Sequence, residues 1–314
     1  MTRVACVGEC MIELRQAEGG LFSRGYGGDT LNTAVYLARL GARTDYITAL
    51  GDDSLSEEMI AGWNAEGVGT QRVLRLPGKL PGLYMIQTDA RGERRFFHWR
   101  ESAAARCLMD LPETPGILAS LAHYDIVYLS AITLSIFSRD NRTRLIEALM
   151  RAKAQGARIV FDTNFRARGW PDPDVARDCF QQAFAASDVV LASTEDLLPL
   201  YPEENDDQLL ARIDCDEAVL KLLMPASIVR FEGVSQQVNA EPVVRPVVDT
   251  TAAGDSFSAA YMAARLAGAA PVEAARAGHR LAGVVTGYPG AIIPREAMPA
   301  HSLPGSAYSS KVST

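Results

Sequence analysis

Apolar and polar positions along this chain change period repeatedly, and that alternation sets the expected architecture. Val4–Gly8, Tyr46–Leu50, Asp125–Ser130, Ile159–Asp162 and Val189–Ala192 are short and largely apolar, as strands buried on both faces are. Helical patterns run over Asp29 to Leu40, Arg139–Lys153 and Val175–Ala185. Asp29 is placed to cap the first and Gly41 to end it, while Gly156 closes the second. Ile228–Phe231 and Gln237–Val244 read as later strands, and two Ala-rich helices over about 254–267 and 271–286 finish the core. Strands alternating with helices of this length predict βαβ units. The expected class is therefore α/β, with a mostly parallel central sheet covered by helices on both faces.

One part of the chain breaks the rhythm. Leu83–Thr88 and Arg95–Arg100 alternate with period two around Asp89-Ala90-Arg91-Gly92, a hairpin signature. Together with the stretch around Glu13–Tyr26 they predict a small β lid, from about 12–27 and 76–101. The rest reads as one domain over 1–300, and the Ser-, Pro- and Gly-rich end, 301–314, as a loosely ordered tail.

Ligands of open parallel sheets collect at the carboxyl ends of the strands. Glu9, Asp52, Asp53, Asn164 and Arg166 fall at such ends, and Asp255 opens the helix after the last strands. The most telling run is Asp249-Thr250-Thr251-Ala252-Ala253-Gly254-Asp255-Ser256, a turn of small residues leading into a helix. Unpaired amides at a helix start favour an anion, and side chains no larger than methyl let it approach. Asp255 would repel a resting phosphate. It makes sense as a base that takes a proton from an attacking hydroxyl while the amides hold developing charge. A capped helix start with an ordinary first-turn acid explains the same local run equally well.

Composition narrows the partners. The chain has 314 residues, and its net charge of −7 without a Lys/Arg run argues against nucleic acid. No apolar run is long enough for a membrane span. The start meets Glu9 too early for a secretory leader, and the five cysteines form no CxxC pair, so a reducing cytoplasm is expected. The four histidines are scattered, which argues against a zinc cluster. There is no GxxxxGK[ST] loop, GxSxG elbow or HExxH pair. Gly25-Tyr26-Gly27-Gly28-Asp29-Thr30 lacks the third glycine of a dinucleotide fingerprint.

Taken together, these segments resemble the ribokinase-like (PfkB) family of carbohydrate kinases. Gly27-Gly28-Asp29-Thr30-Leu31-Asn32-Thr33-Ala34 matches the motif that closes on the sugar, and Asp249–Asp255 matches the phosphoryl-transfer signature. Gly8-Glu9-Cys10-Met11-Ile12-Glu13-Leu14, Leu80-Pro81-Gly82-Leu83-Tyr84, Phe97-His98-Trp99-Arg100 and the closing Gly290–Pro299 are similar to the branch that phosphorylates 2-keto-3-deoxygluconate. The resemblance spans the chain to about residue 300. It implies a three-layer α/β/α fold with a β lid, and ATP with Mg2+ as cofactors. It also implies transfer to the terminal hydroxyl of the keto acid, in sugar-acid breakdown.

On this resemblance, Ala252, Ala253 and Gly254 hold the phosphoryl group and Asp255 is the base. Glu9, Gly28, Asn32 and Tyr84 bind the sugar, while Arg100 and Arg166 are placed for its carboxylate, since a guanidinium binds carboxylate bidentately. A neutral sugar needs neither arginine. Phe97 and Trp99 face away from Phe96, His98 and Arg100 and suit packing against a second subunit, so a homo-oligomer is implied. Lys221, Gly254, His279 and Ala282 are the implied nucleotide contacts, and Glu195 or Asp196 the implied magnesium contact. A monovalent cation beside Asp249 and Thr250 occurs in some relatives. Two departures stand out: Leu223 occupies a glycine position in the loop Lys221–Ser227, and Ser193-Thr194-Glu195-Asp196 lacks an expected asparagine. Two other readings are a kinase for another sugar and a sugar-acid-binding protein with impaired ATP use.

Overall fold

The computed structural model of the chain describes residues 2–88, 94–242 and 245–299. Its strands are β1 (Arg3–Val7), β2 (Met11–Gln16), β3 (Phe22–Gly27), β4 (Arg43–Gly51), β5 (Val73–Leu76), β6 (Leu83–Thr88), β7 (Arg94–Trp99), β8 (Ile126–Ser130), β9 (Arg158–Asp162), β10 (Val189–Ser193), β11 (Glu217–Lys221), β12 (Ala226–Phe231) and β13 (Val234–Asn239). The helices are α1 (Asp29–Arg39), α2 (Ser54–Ala65), α3 (Thr114–Ser120), α4 (Ala131–Ser135), α5 (Arg139–Ala154), α6 (Pro173–Ala186), α7 (Thr194–Leu197), α8 (Asp206–Ala211), α9 (Ala253–Leu266) and α10 (Pro271–Val285).

The main sheet has the order β13-β12-β11-β10-β9-β8-β1-β4-β5. From β11 through β5 every pairing is parallel, and the β11–β12–β13 edge is antiparallel. Strand periodicity divides the core into two layers. Ala5, Val7, Val127, Leu129, Ile159 and Phe161 face the layer built on α5 and α6. Val4, Cys6, Tyr128, Val160, Leu191 and Val219 face the layer built on α1, α9 and α10. Successive strand residues point to opposite faces, so a buried parallel strand must be apolar on both. That is why these strands read as continuous runs rather than alternations.

The second sheet has the order β3-β2-β6-β7. Its strands lie where the lid was expected, while β5, at Leu76, belongs to the main sheet. The lid's root is apolar: Ile12 is buried, and Tyr26 meets Trp63 of α2 edge-on at 6.4 Å. The turn Asp89–Gly92, Val244 and the tail 301–314 lie outside the described residues. The last strand is Val234–Asn239, earlier and shorter than Gln237–Val244, because it pairs residue for residue with β12 across the tight turn at Glu232-Gly233.

Candidate active site

Two helix starts meet at the carboxyl edge of the main sheet. The backbone enters α1 through Gly28, where a Cβ would run into the Glu9 carbonyl oxygen, so only glycine lets the helix pack this closely on the end of β1. The backbone enters α9 through Ala252, a left-handed residue with φ 60°. That conformation costs a non-glycine residue on the order of 1 kcal/mol. No side chain caps α9; the Ala253 amide turns back to the Thr250 carbonyl at 3.2 Å, so of the first-turn amides those of Gly254 and Asp255 are the ones available to the site.

Asp255 lies in that first turn. Asn32 of α1 donates from Nδ2 to Asp255 Oδ2 at 2.8 Å. Burial, with the nearby carboxylate of Asp29 adding to it, pushes the Asp255 carboxyl up from 3.8 to about 7; the Asn32 hydrogen bond and Lys221 oppose the rise. Lys221 ends β11, where its Nζ lies 3.4 Å from Asp162 Oδ2 and 3.6 Å from the position a Cβ on Gly254 would take. A cation thus sits beside the small-residue turn.

The lid supplies the opposite wall. Register places Glu13 beside Tyr84 and Tyr84 beside His98 across β2, β6 and β7. The Tyr84 hydroxyl donates to Glu13, whose other oxygen receives Arg15 at 3.2 Å. The Tyr84 ring stacks with His98 at 6.0 Å, and Phe96 flanks both. Arg100 donates to the buried Glu9. Three buried atoms here have no protein partner: Glu9 Oε1, Asn32 Oδ1 and Arg100 Nε. A buried polar atom without a partner costs roughly 1–3 kcal/mol. Two acceptors and one donor, all unpaired, suit a ligand with several hydroxyls and an acidic group.

The structure thus gathers Glu9, Gly28, Asn32, Tyr84, Arg100, Lys221, Gly254 and Asp255. Arg166 is exposed; its guanidinium lies 3.3 Å from Asp196 Oδ1, and Asp196 in turn feels the charges of Lys221 and Asp162. Asp196 also accepts from Thr163 and from the Phe165 amide, so it braces the loop after β9. Glu195 is exposed on α7. Among the described residues no three His, Cys, Asp or Glu side chains are grouped to hold a metal ion. His279 shares a 3.0 Å hydrogen bond with Ser227 Oγ and packs edge-on at 5.0 Å against Phe257, and Ala282 follows one turn later on α10. Leu223 needs no left-handed backbone: among the described residues only Glu232 and Ala252 are non-glycines with positive φ, and Leu222 N bonds Ala226 O within the hairpin. Asp52 and Asp53 serve their own loop, one accepting from the Gly78 amide and the other capping α2.

Several residues were not visible as site residues from the chain alone. Glu13 needs the parallel β2–β6 register to reach Tyr84. Asp29 is held by Asn164 at 2.7 Å. Asp162 joins Lys221, Ser258 and Tyr128. Arg168 donates at 3.2 Å to the Phe96 carbonyl, joining the lid edge to the body. Their spacing carried one usable signal, the Asp162-Thr163-Asn164 run at a strand end.

The class defined by this architecture, an α/β body whose lid closes over an acid on a small-residue helix start, is the ribokinase-like sugar kinase. The profile of pfkB family carbohydrate kinases matches residues 1–298, and the chain belongs to that family. It is 44% identical to the 2-dehydro-3-deoxygluconokinase of Dickeya dadantii, an alignment covering 95% of this chain and 98% of the relative. It is 41% identical to that of Escherichia coli K12, over 95% and 99%. In structure it is similar to a fructokinase with bound ATP from Xylella fastidiosa, with a TM-score of 0.81, 23% identity and 95% of each chain covered.

Proposed function

We propose that this chain transfers the γ-phosphoryl group of ATP to the terminal hydroxyl of 2-dehydro-3-deoxygluconate, also called 2-keto-3-deoxygluconate. The substrate assignment rests on the near full-length similarity to curated kinases of that name. The chemistry rests on one observation: a buried carboxyl, bonded to Asn32 and pushed up to about 7 by burial, stands on the uncapped helix start that would hold the transferring group. A base whose pKa lies near the working pH is the effective one.

Asp255 takes the hydroxyl proton. The resulting oxygen attacks the γ-phosphorus, the bond from phosphorus to the β–γ bridging oxygen breaks, and ADP leaves. The first-turn amides of α9 and Lys221 stabilise the charge that develops on the phosphoryl oxygens. Glu9 Oε1 and Asn32 Oδ1 accept sugar hydroxyls, and Tyr84 and Arg100 face the acid end. Magnesium would neutralise phosphate charge; among the described residues no three His, Cys, Asp or Glu side chains are grouped as ligands, which suits an ion carried mainly on the nucleotide. Leu223 and Met224, both exposed beside Lys221, offer apolar cover for the base of ATP.

Phe22, Phe97 and Trp99 are exposed on the lid, and we infer that a second copy of this chain covers them. No helix among the described residues is long and apolar enough to cross a membrane. ATP use and five free cysteines support the cytoplasm as the setting.

The test is a coupled ATP assay across keto-sugar acids and neutral sugars. ADP release with 2-keto-3-deoxygluconate but not with ribose or fructose is expected. Equal turnover of fructose would overturn the substrate assignment, and substrate-shifted melting without turnover would reveal a binding protein.

A further inference from the structure

We propose that Asp29 is a positioning residue for the base: its buried carboxylate, held by Asn164 one turn before Asn32, sets the pH at which Asp255 accepts its proton. The proposal rests on Asp255 acting as that base.

The geometry joins the two acids closely. Asp29 and Asn32 are three residues apart on α1 and share a face. Asn32 reaches Asp255 Oδ2 at 2.8 Å. The Thr33 hydroxyl lies 3.1 Å from the Asp29 carbonyl oxygen and 3.3 Å from that of Asp255, which stitches the first turn of α1 to that of α9. Behind Asp29, Asn164 Nδ2 donates to Oδ2 at 2.7 Å and holds the carboxylate in place. An asparagine could accept the same bond through its oxygen. What only the acid brings is charge.

Other charged groups face Asp255 from every side. Asp162 at the end of β9 adds like charge, and Lys221 from β11 opposes it. These two are paired at 3.4 Å and largely offset one another. Glu9, near Asp29, is paired with Arg100. The phenols of Tyr36 and Tyr128 are pushed upward by burial and stay neutral. Burial pushes the Asp29 carboxyl up as well, against the bond from Asn164 that favours its charged form; among the described residues no cation pairs with it, and it heads the neighbouring charges that raise the Asp255 carboxyl.

The test is the pH profile of kcat/KM for the full chain with saturating MgATP. In Asp29→Asn the acid limb should move to lower pH by on the order of one unit, while Asp29→Glu keeps the wild-type limb. A limb that stays put in a D29N protein melting like wild type overturns the proposal. If D29N does not fold, Asp29→Ser removes the same charge with a short polar side chain suited to a helix start. It should move the limb the same way, and an unmoved limb there overturns the proposal too. Asp255→Asn separates this from the underlying reading. Wild-type turnover in D255N removes Asp255 as base, whereas a dead D255N with an unmoved D29N limb removes only the role of Asp29.

Discussion

Asp255 is held in a place that resists its charge, so neutralising it should stabilise the ligand-free fold. Its carboxyl is pushed from 3.8 to about 7, mainly by burial and secondly by Asp29. A rise of about three units corresponds to about 4 kcal/mol between the two protonation states. The sign follows from proton binding. Between about pH 4 and pH 7 the folded protein keeps a proton that the unfolded chain has released, so wild-type stability falls as pH rises through that window and levels off above it. Asp255→Asn keeps shape and the bond from Asn32 but does not titrate. Below pH 4 the two proteins should be about equally stable. At pH 8 the variant should be more stable by about 2–4 kcal/mol, the lower figure allowing for solvent reaching the open mouth of the site. Urea midpoints of both proteins without ligand, at pH 4, 6 and 8, read this directly. Turnover of the variant should fall by orders of magnitude in parallel, the cost expected where a site is built for chemistry rather than stability. A stability gap that is flat with pH, or a variant weaker than wild type at pH 8, would refute the reasoning.

Three further outcomes are expected. Glu217 is buried on β11 against Arg265, Tyr261 and Arg158; Glu217→Ala should cost about 3–5 kcal/mol in urea unfolding. The kcat of its folded fraction should stay near wild type, because Glu217 begins the strand that Lys221 ends. Ala252→Gly removes a left-handed alanine and should raise the unfolding free energy by about 0.5–1 kcal/mol after the entropy of glycine is counted; a lower urea midpoint would count against strain at that turn. Arg100→Met leaves Glu9 buried and unpaired, so KM for the keto acid should rise on the order of a hundredfold while KM for ATP moves little; equal rises in both would place Arg100 outside the acid's binding wall.

The fold was legible because parallel strands buried on both faces and amphipathic helices have different periods. It was less legible where pairing, not composition, decides. β11 runs on into Leu222-Leu223-Met224, so its apolar pattern has no visible end. The end is set by the hairpin that puts Lys221 opposite Ser227. α2 was passed over because Asp52-Asp53 read as a site rather than as a loop brace and a helix cap. Gly28, Asn32 and Asp255 could be proposed from the chain because their motifs are local, and the structure brings their helix starts together. Arg166 could be named as an arginine near the right strand end, but its partner Asp196 lies thirty residues on in a different loop. Glu13 and Asp29 needed contacts that only the assembled sheet provides.

The same contacts divide the lid into two halves with different physics. Its root is held by apolar burial at Ile12 and by the Tyr26–Trp63 contact, which water does not replace. Its far edge is held by polar links: Arg100 to Glu9, Arg168 to the Phe96 carbonyl, and Arg15 at 3.8 Å from Asp249. Exposed polar links exchange with water at little net cost, whereas buried apolar contacts do not. Opening should therefore turn about the root and part at the β7 edge, with the buried Glu9–Arg100 pair the costliest link to break there. Because Arg15 reaches Asp249, and Asp249 accepts from the Thr251 amide and the Gly290 amide, the lid touches the segment that leads into the phosphoryl-holding turn. On the function proposed above, closing on the sugar would then be coupled through Arg15 and Asp249 to the turn proposed to hold the phosphoryl group.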